Sequence, residues 1–242
     1  MILAAGQGKR MGELSDHTPN PLTRILGVSL LGRIVSKLLE TDIGPIVLNV
    51  HHLADQVEGH VAHHVNMGDV IISDERDELL ETGGGVRKAI PLLEDEFLII
   101  NSDILWQDET IGKTTIEQLQ HVWDPLRMDV LLLLVPVEVA YGYAGVGDFF
   151  YNAPSDDIQA PGTLCFRGDA DCSPYMYGGI QIVKASMYDD MPDGAWSNRE
   201  IFRKAAVNDR LFGVPHKGLW MHVGTEDAIK DAEERLQSIG RG

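Results

Sequence analysis

Along residues 1–135, short apolar runs alternate with longer stretches in which apolar residues recur at helical spacing. The short runs predict strands at Met1 to Ala5, Ile46 to Val50, Val70 to Ser73, Phe97 to Asn101 and Met128 to Val137. The helical spacing predicts helices at Leu31 to Leu39, Val57 to Val65, Val86 to Ile90 and Ile116 to Trp123. Strands that alternate with helices imply right-handed crossovers and a parallel sheet, and wholly apolar strands imply that both faces of the sheet are covered.

The second part of the chain has a different texture. Residues 142–182 are rich in Gly, Asp and aromatic residues, and strand-like pieces at Gly147 to Tyr151 and Gly178 to Val183 indicate antiparallel additions to the sheet. Later apolar positions predict a helix at Ile201 to Ala205, strands at Leu211 to Pro215 and Leu219 to Val223, and a last helix from Glu226. Since no linker or repeat divides the chain, we expect one domain, residues 1–242, with an α/β, Rossmann-like three-layer fold around a mixed, mostly parallel sheet.

The composition is that of a globular protein with an unusual charge. Apolar residues make up 44% of the 242 residues, and 37 Asp and Glu outnumber 20 Lys and Arg, which gives a formal net charge of -17. Such a chain repels nucleic acid and anionic lipid, so we expect neither as a partner. An anionic substrate would need local positive charge at its site, against the field of the whole chain.

The chain carries no evident targeting or redox motif. Its longest apolar run, Val130 to Val137, is far shorter than the roughly 20 residues of a membrane span. The N-terminus lacks the basic region and the cleavage site of a signal peptide. Cys165 and Cys172 fit no zinc or redox motif. We therefore expect a cytoplasmic protein with free thiols and no membrane contact.

The first candidate motif is Leu3 to Met11, LAAGQGKRM, in which a strand leads into a glycine loop with two cations. The glycines let the backbone approach a ligand closely, and successive amides can cradle phosphate oxygens. The motif is neither a Walker P-loop nor a GxGxxG fingerprint. Taken alone, it also fits a glycine turn whose cations face solvent.

The second candidate motif is Leu80 to Gly85, LETGGG, which precedes a predicted helix. Three glycines leave room for a flat ring or a sugar against bare backbone. The N-terminus of the helix that they open favours negative charge. A flexible connection is the alternative interpretation.

Two further candidates follow strand ends. Asp103 comes directly after the predicted strand at Phe97 to Asn101, where ligands bind in open α/β sheets, and its carboxylate can hold a hard cation beside substrate phosphates. His222 ends a later strand, and its imidazole can bind a metal ion. The alternatives are an Asx turn at Asp103 and a satisfied histidine followed by Thr225 as a helix N-cap.

In this order, the four segments resemble the sugar-1-phosphate nucleotidyltransferases, also called nucleotide-sugar pyrophosphorylases. Where the family has P-K-P-L this chain has Pro19-Asn20-Pro21-Leu22, and Gly147-Asp148-Phe149 and Tyr177-Gly178-Gly179-Ile180 stand at the family's sugar-side strands. The likeness covers nearly the whole chain and is greatest to small single-domain members that use UTP and N-acetylmuramic acid 1-phosphate. It implies that an NTP and a sugar 1-phosphate are the substrates, and that an NDP-sugar and pyrophosphate are the products.

The resemblance also implies a role for each motif. It divides the chain into a nucleotide-binding half, about 1–135, and a sugar-binding half, about 136–242. It assigns the nucleotide to Leu3, Ala4, Ala5, Gly6, Gly8, Gly83 and Gly84. It assigns the sugar to Glu81, Asn101, Tyr177 and Gly178. Arg10 and Asp103 would be catalytic residues, Arg10 at the β- and γ-phosphates and Asp103 as a metal ligand together with His222. The expected ion is Mg2+, with Mn2+ as the alternative.

Two residues depart from the family pattern. Asn20 stands in place of a lysine that would neutralise phosphate, a role that Arg24 or Lys88 could take over. His222 replaces a second metal-binding aspartate, and imidazole suits Mn2+ better than Mg2+. With so few cations near the proposed phosphates, we expect strict dependence on the metal.

These departures keep other interpretations open. One is a catalytically weak or inactive relative that senses a nucleotide or a sugar. Others are a specificity like that of the mannose-1-phosphate guanylyltransferases, and a nucleotidyltransferase of the cytidylyl or molybdopterin type. The sequence does not predict the oligomeric state.

Overall fold

The computed structural model describes residues 1–8, 12, 14–41, 43–109, 112–154 and 160–239. Its strands are β1 (Ile2–Leu3), β2 (Arg24–Ile25), β3 (Val28–Ser29), β4 (Ile46–Val50), β5 (Val70–Asp74), β6 (Glu96–Asn101), β7 (Ile104–Trp106), β8 (Val130–Pro136), β9 (Ala140–Tyr141), β10 (Phe149–Asn152), β11 (Gly162–Phe166), β12 (Tyr175–Lys184), β13 (Leu211–Pro215) and β14 (Trp220–His222). Its helices are α1 (Leu14–His17), α2 (Leu30–Leu39), α3 (Ala54–Met67), α4 (Glu81–Ala89), α5 (Thr115–Val122), α6 (Arg199–Val207) and α7 (Glu226–Ile239).

Nine of the described strands form one large sheet in the order β10-β11-β13-β8-β12-β6-β1-β4-β5. β6, β1, β4 and β5 pair in parallel, as do β13 and β8. β12 runs antiparallel between β6 and β8, and β11 runs antiparallel between β10 and β13. Seven of these nine strands therefore point the same way, which confirms the mixed, mostly parallel sheet.

Two smaller sheets accompany the large one, and in the three-stranded one β14 pairs in parallel with β9. β7, β14 and β9 form a three-stranded sheet, and β2 and β3 form a short hairpin. The pairing of β7 with β14 is antiparallel and sets His222 opposite Ile104. It thereby brings the segment after β6 and the segment before α7 together, although more than a hundred positions separate them.

Helices cover both faces of the large sheet, as the apolar strands predict. All five residues of β4 are buried, which requires cover on each side. On one face, α2, α3 and α5 contribute buried residues such as Leu31, Val57 and Leu119 to a common core. On the other face, α4 and α6 contribute Val86 and Phe202 to a second core. The three-layer α/β architecture is thus confirmed.

The helices are short compared with a membrane span. α3 and α7 have 14 residues each, fewer than the roughly 20 that a membrane span requires. Within the ranges given above, the structure contains no helix with the length and apolarity to cross a membrane. Cys165 and Cys172 are free thiols, and both are exposed.

Candidate active site

The strand register builds the site around the end of β1. Leu3 pairs with Asn49 of β4 on one side and with Asn101 of β6 on the other. The Ala4 amide donates to Asn49 Oδ1 at 2.7 Å, and the Ser102 hydroxyl donates to the Leu3 carbonyl at 2.6 Å. The loop that follows β1 is therefore held from both sides, at the edge where the parallel strands end.

Asn49 extends this anchor into the protein interior. Its Nδ2 donates to Glu75 Oε1 at 2.7 Å, and Glu75 is completely buried. Burial raises the pKa of the Glu75 carboxyl above its usual range. A Cβ atom on Gly85 would lie 2.6 Å from Glu75 Oε1 and 2.9 Å from Asn49 Nδ2. The third glycine of LETGGG therefore makes room for this buried pair.

A first cleft of about 470 Å³ opens above the end of β1. It is lined by Leu3, Ala5, Gly6, Gly8, Asn20, Pro21, Asn49, Leu79, Glu81, Thr82, Asn101, Ser102, Asp103, Ser197 and Gly224. Four of the residues predicted to bind nucleotide thus line it, while Ala4 is buried beneath it. Glu81, predicted on the sugar side, lines this cleft and has a left-handed backbone with a φ of 56°.

Gly83 and Gly84 lie elsewhere, and the expected open glycine stretch is wrong. α4 begins at Glu81 and contains all three glycines. The amides of Gly83 and Gly84 donate to the Trp196 carbonyl at 2.7 and 3.3 Å. A Cβ atom on Gly83 would lie 2.1 Å from the Trp196 ring, and one on Gly84 would lie 2.0 Å from the Gly194 carbonyl oxygen. The segment around Trp196 thus fills the room that we expected a flat ring or a sugar to occupy, and its carbonyl accepts from both amides.

A second cleft of about 710 Å³ adjoins the first. It is lined by Asn101, Asp103, Ile104, Gly142, Tyr143, Ala144, Gly145, Asp148, Phe149, Met176, Tyr177, Gly179, Arg199, Phe202, Trp220, His222 and Thr225. Asn101 and Asp103 line both clefts. Asp103 therefore lies where ligands in the two clefts would meet.

The predicted sugar residues on β12 are placed differently from one another. Tyr177 lines the second cleft, but its hydroxyl donates to Gln181 at 2.8 Å, and burial raises its pKa well above the usual range. Gly178 is absent from the lining and offers its carbonyl to Trp220 Nε1 at 2.8 Å. A Cβ atom on Gly178 would meet Val135 at 2.9 Å. Glycine at position 178 therefore allows close packing against Val135 inside the sheet.

Asp103 and His222, the two residues predicted to bind a metal ion, lie in direct contact. His222 Nε2 lies 3.1 Å from Asp103 Oδ2, and the Val223 amide donates to the Asp103 carbonyl at 2.9 Å. Two neighbouring ligands of an octahedral ion with bonds of about 2.1 Å are about 3.0 Å apart. The distance between the two atoms is therefore compatible with both residues binding one divalent ion. In the described part of the chain no cluster of three or more His, Cys, Asp or Glu could hold a metal.

The first cleft is short of cations. Among its lining residues that the structure describes, none is Lys or Arg, whereas Glu81 and Asp103 are acidic. Asn20 lines the cleft with an amide that accepts from the Thr23 hydroxyl at 3.3 Å. Arg24 donates to the Gly27 carbonyl at 2.9 Å, and Lys88 donates to the Asp74 carbonyl. Neither replaces the missing lysine in this cleft. Arg10, like its neighbours Lys9 and Met11, lies outside the described residues.

Comparison with known proteins identifies the family. The model of the MobA-like NTP transferase domain matches residues 1–132. N-acetylmuramate alpha-1-phosphate uridylyltransferase of Caulobacter vibrioides is 35% identical over 240 residues, which cover 98% of this chain and 96% of that protein. The chain belongs to the sugar-1-phosphate nucleotidyltransferases. The protein of the same description from Neisseria meningitidis is 30% identical, with 96% of each chain covered.

The fold of this nucleotidyltransferase agrees with that assignment. A solved UDP-glucose pyrophosphorylase, in complex with UDP-glucose, superimposes with a TM-score of 0.73 at 14% identity and covers 98% of this chain and 97% of its own. At that identity the likeness supports the fold alone. It agrees with the three-layer architecture deduced from the apolar pattern.

Sequence reasoning missed several cleft residues of this nucleotidyltransferase. Asn49 is the one polar residue in the apolar strand β4, and it pairs with Leu3 of β1. Its polarity could therefore have indicated a position at the site. Tyr143 and Arg199 also line the second cleft, beside Asp148, which the sequence had placed on the sugar side. No local pattern predicts that Arg199 lies beside Asp148, because the two residues are 51 positions apart and their proximity depends on the fold.

Proposed function

We propose that this nucleotidyltransferase transfers a uridylyl group from UTP to N-acetylmuramate α-1-phosphate, releasing pyrophosphate. The observation that carries the proposal is the pair of adjoining clefts that share Asn101 and Asp103. One cleft lies at the glycine loop and suits a nucleotide, and the other suits a sugar phosphate. The two relatives named above support the choice of base and sugar.

We propose that each cleft binds one of the two substrates. We assign the nucleotide to the half formed by residues 1–135 and the sugar to the half formed by 136–242, within one domain. The backbone of Leu3, Ala5, Gly6 and Gly8 offers close approach to base and phosphates. Arg10 keeps its predicted role at the β- and γ-phosphates.

The reaction requires that the two substrates be positioned together and that their negative charges be neutralised. A phosphate oxygen of the sugar 1-phosphate attacks the α-phosphorus of UTP, and the bond between that phosphorus and the bridging oxygen to the β-phosphorus breaks. The nucleophile is already an anion, so the protein needs no general base. The two clefts hold both anions near Asp103, which supplies the effective concentration that such a step requires.

Asp103 and His222 would hold a divalent ion at this junction. The ion would neutralise charge on the reacting phosphates. Among the described residues that line the first cleft there is no Lys or Arg, so the ion and Arg10 would together provide the positive charge. The His222 imidazole favours Mn2+ relative to a carboxylate ligand, so we propose Mg2+ with Mn2+ as an effective substitute.

The cellular role follows from the substrate. N-acetylmuramate is a cell-wall sugar, and its activation with UTP would return it to precursor synthesis. We therefore propose a cytoplasmic enzyme of cell-wall recycling.

A substrate screen tests the proposal. UTP, GTP, CTP, dTTP and ATP are each combined with N-acetylmuramate, N-acetylglucosamine and mannose 1-phosphates, in Mg2+ or Mn2+, and pyrophosphate is measured. We expect the highest rate with UTP and N-acetylmuramate α-1-phosphate. A preference for GTP with mannose 1-phosphate would favour the guanylyltransferase alternative, and no pyrophosphate from any pair would favour a sensing protein.

A further inference from the structure

One wall of the second cleft carries a guanidinium that the transfer reaction does not use. Arg199 lines this cleft, and its Nη1 donates to Asp148 Oδ1 at 3.0 Å. Asp148 Oδ2 in turn accepts from the Tyr177 amide at 3.1 Å. Asp148 thus ties the guanidinium to strand β12, so its position in the cleft is fixed although half of the side chain is exposed.

Arg199 adds little to the stability of the helix to which it belongs. Arg199 is the first residue of α6, the end at which the helix dipole disfavours a cation. Within the described part of the chain, Asp148 is the one hydrogen-bonding partner of its side chain, and the face of Phe166 lies 6.0 Å away. Nε and Nη2 therefore remain available for a ligand.

Among the described residues that line this cleft, Arg199 is the one Lys or Arg side chain. The pKa of Tyr143 is raised by burial and by Asp148, and it is lowered by both Arg199 and Arg167. Two guanidinium groups and one carboxylate therefore act on the same hydroxyl. Among the described residues lining the cleft, Asp103 is the other acidic one, and it lies at the junction with the first cleft. In a chain of net charge -17, a guanidinium that lines this cleft with unengaged Nε and Nη2 donors indicates an anionic ligand group.

We propose that Arg199 determines specificity by binding a carboxylate on the sugar, which for the substrate proposed above is the lactyl carboxylate of N-acetylmuramate. The inference rests on the proposed function. N-acetylglucosamine 1-phosphate has the same ring and phosphate but lacks the lactyl group. The planar fork of an arginine matches a carboxylate through two parallel hydrogen bonds. The phosphate and the carboxylate of the substrate would thus both be held in the second cleft, the phosphate near Asp103 and the carboxylate by Arg199.

Calorimetry of the two sugar phosphates tests this inference. N-acetylmuramate and N-acetylglucosamine α-1-phosphates are titrated into the wild type, Arg199→Gln, Arg199→Lys and the control Arg203→Gln. Arg203 lies one turn further along α6, pairs with Glu200 and is absent from the cleft lining. We expect the wild type and the control to prefer N-acetylmuramate by about tenfold or more. Arg199→Gln should abolish that preference, Arg199→Lys should retain part of it, and neither should change affinity for N-acetylglucosamine.

The outcomes separate the inference from the proposed function. If Arg199→Gln weakens both sugar phosphates equally or leaves the preference intact, the inference is overturned, while pyrophosphate release from UTP and N-acetylmuramate α-1-phosphate would still support the proposed function. If the wild type releases no pyrophosphate, the proposed function fails. The inference about Arg199 is then decided by the ratio of the two sugar phosphate affinities alone. A wild type that binds both sugar phosphates equally overturns it.

Discussion

Gly83→Ala is expected to destabilise the protein because the added methyl group has no room. The Cβ atom would lie 2.1 Å from Trp196 Cε3, where an ordinary carbon–carbon contact needs about 3.5 Å or more. The Trp196 ring would have to move by about 1.4 Å. Its Nε1 donates to the Pro192 carbonyl at 2.9 Å, and its ring centroid lies 6.1 Å from that of Tyr188.

The expected magnitude follows from three contributions. Overpacking a core typically costs about 1–3 kcal/mol, and loss of the Trp196 hydrogen bond adds about 1 kcal/mol. Replacing glycine by alanine within a helix returns about 0.5–1 kcal/mol. The net loss of unfolding free energy is therefore about 2 kcal/mol. For a chain of this size, that corresponds to a fall in Tm of about 4–8 °C.

Gly59→Ala is the matched control. Gly59 lies within α3, and a Cβ atom there would have no neighbour within 4 Å. The same substitution should therefore raise the unfolding free energy by about 0.5–1 kcal/mol. Thermal and urea unfolding of both variants measure the contrast. A Gly83→Ala variant as stable as Gly59→Ala would refute the packing role of Gly83. In a Trp196→Ala background, the cost of Gly83→Ala should largely disappear.

Three further predictions concern the first cleft and its support. Glu81→Gly should raise the unfolding free energy by about 1 kcal/mol in urea titrations, because Glu81 has a φ of 56° that glycine tolerates; unchanged stability would contradict strain there. Burial raises the pKa of Glu75, so its contribution to stability falls as pH rises above the usual 4.5. Glu75→Gln should therefore gain stability relative to the wild type as pH rises above 4.5, and parallel pH profiles of the two proteins would contradict this. Asn20→Lys should raise the rate of pyrophosphate release if the missing cation limits turnover, whereas a lower rate would show that another group already provides that charge.

Much of the fold could be predicted because local pattern and burial agree. The strands at 46–50 and 211–215 have the predicted bounds, and α2 follows the predicted apolar spacing closely. All residues of both strands are buried, so their sequences need little more than apolarity to specify them. The order of glycine loop, Asp103 strand end and His222 strand end also located the residues that meet at the junction of the clefts.

The features of the fold and the site that could not be predicted depend on contacts between segments far apart in the sequence. The glycines of α4 suggested an open stretch, but the Trp196 carbonyl accepts their amides and the Trp196 ring takes the space. β11 was not predicted, and it forms by pairing with β10 and β13 on either side. Arg199 and Asp148 are 51 positions apart along the chain. Their pairing follows from the placement of α6 against the sheet, which no local periodicity encodes.

The role of Asp103 at the junction of the two clefts is the central claim. Its most direct test is the initial rate of pyrophosphate release from UTP and N-acetylmuramate α-1-phosphate, at saturating Mg2+, for the wild type and Asp103→Ala. Circular dichroism and urea unfolding establish that the variant is folded. We predict that the rate falls by at least about 10²–10³-fold. A folded Asp103→Ala variant that keeps the wild-type rate would contradict the claim.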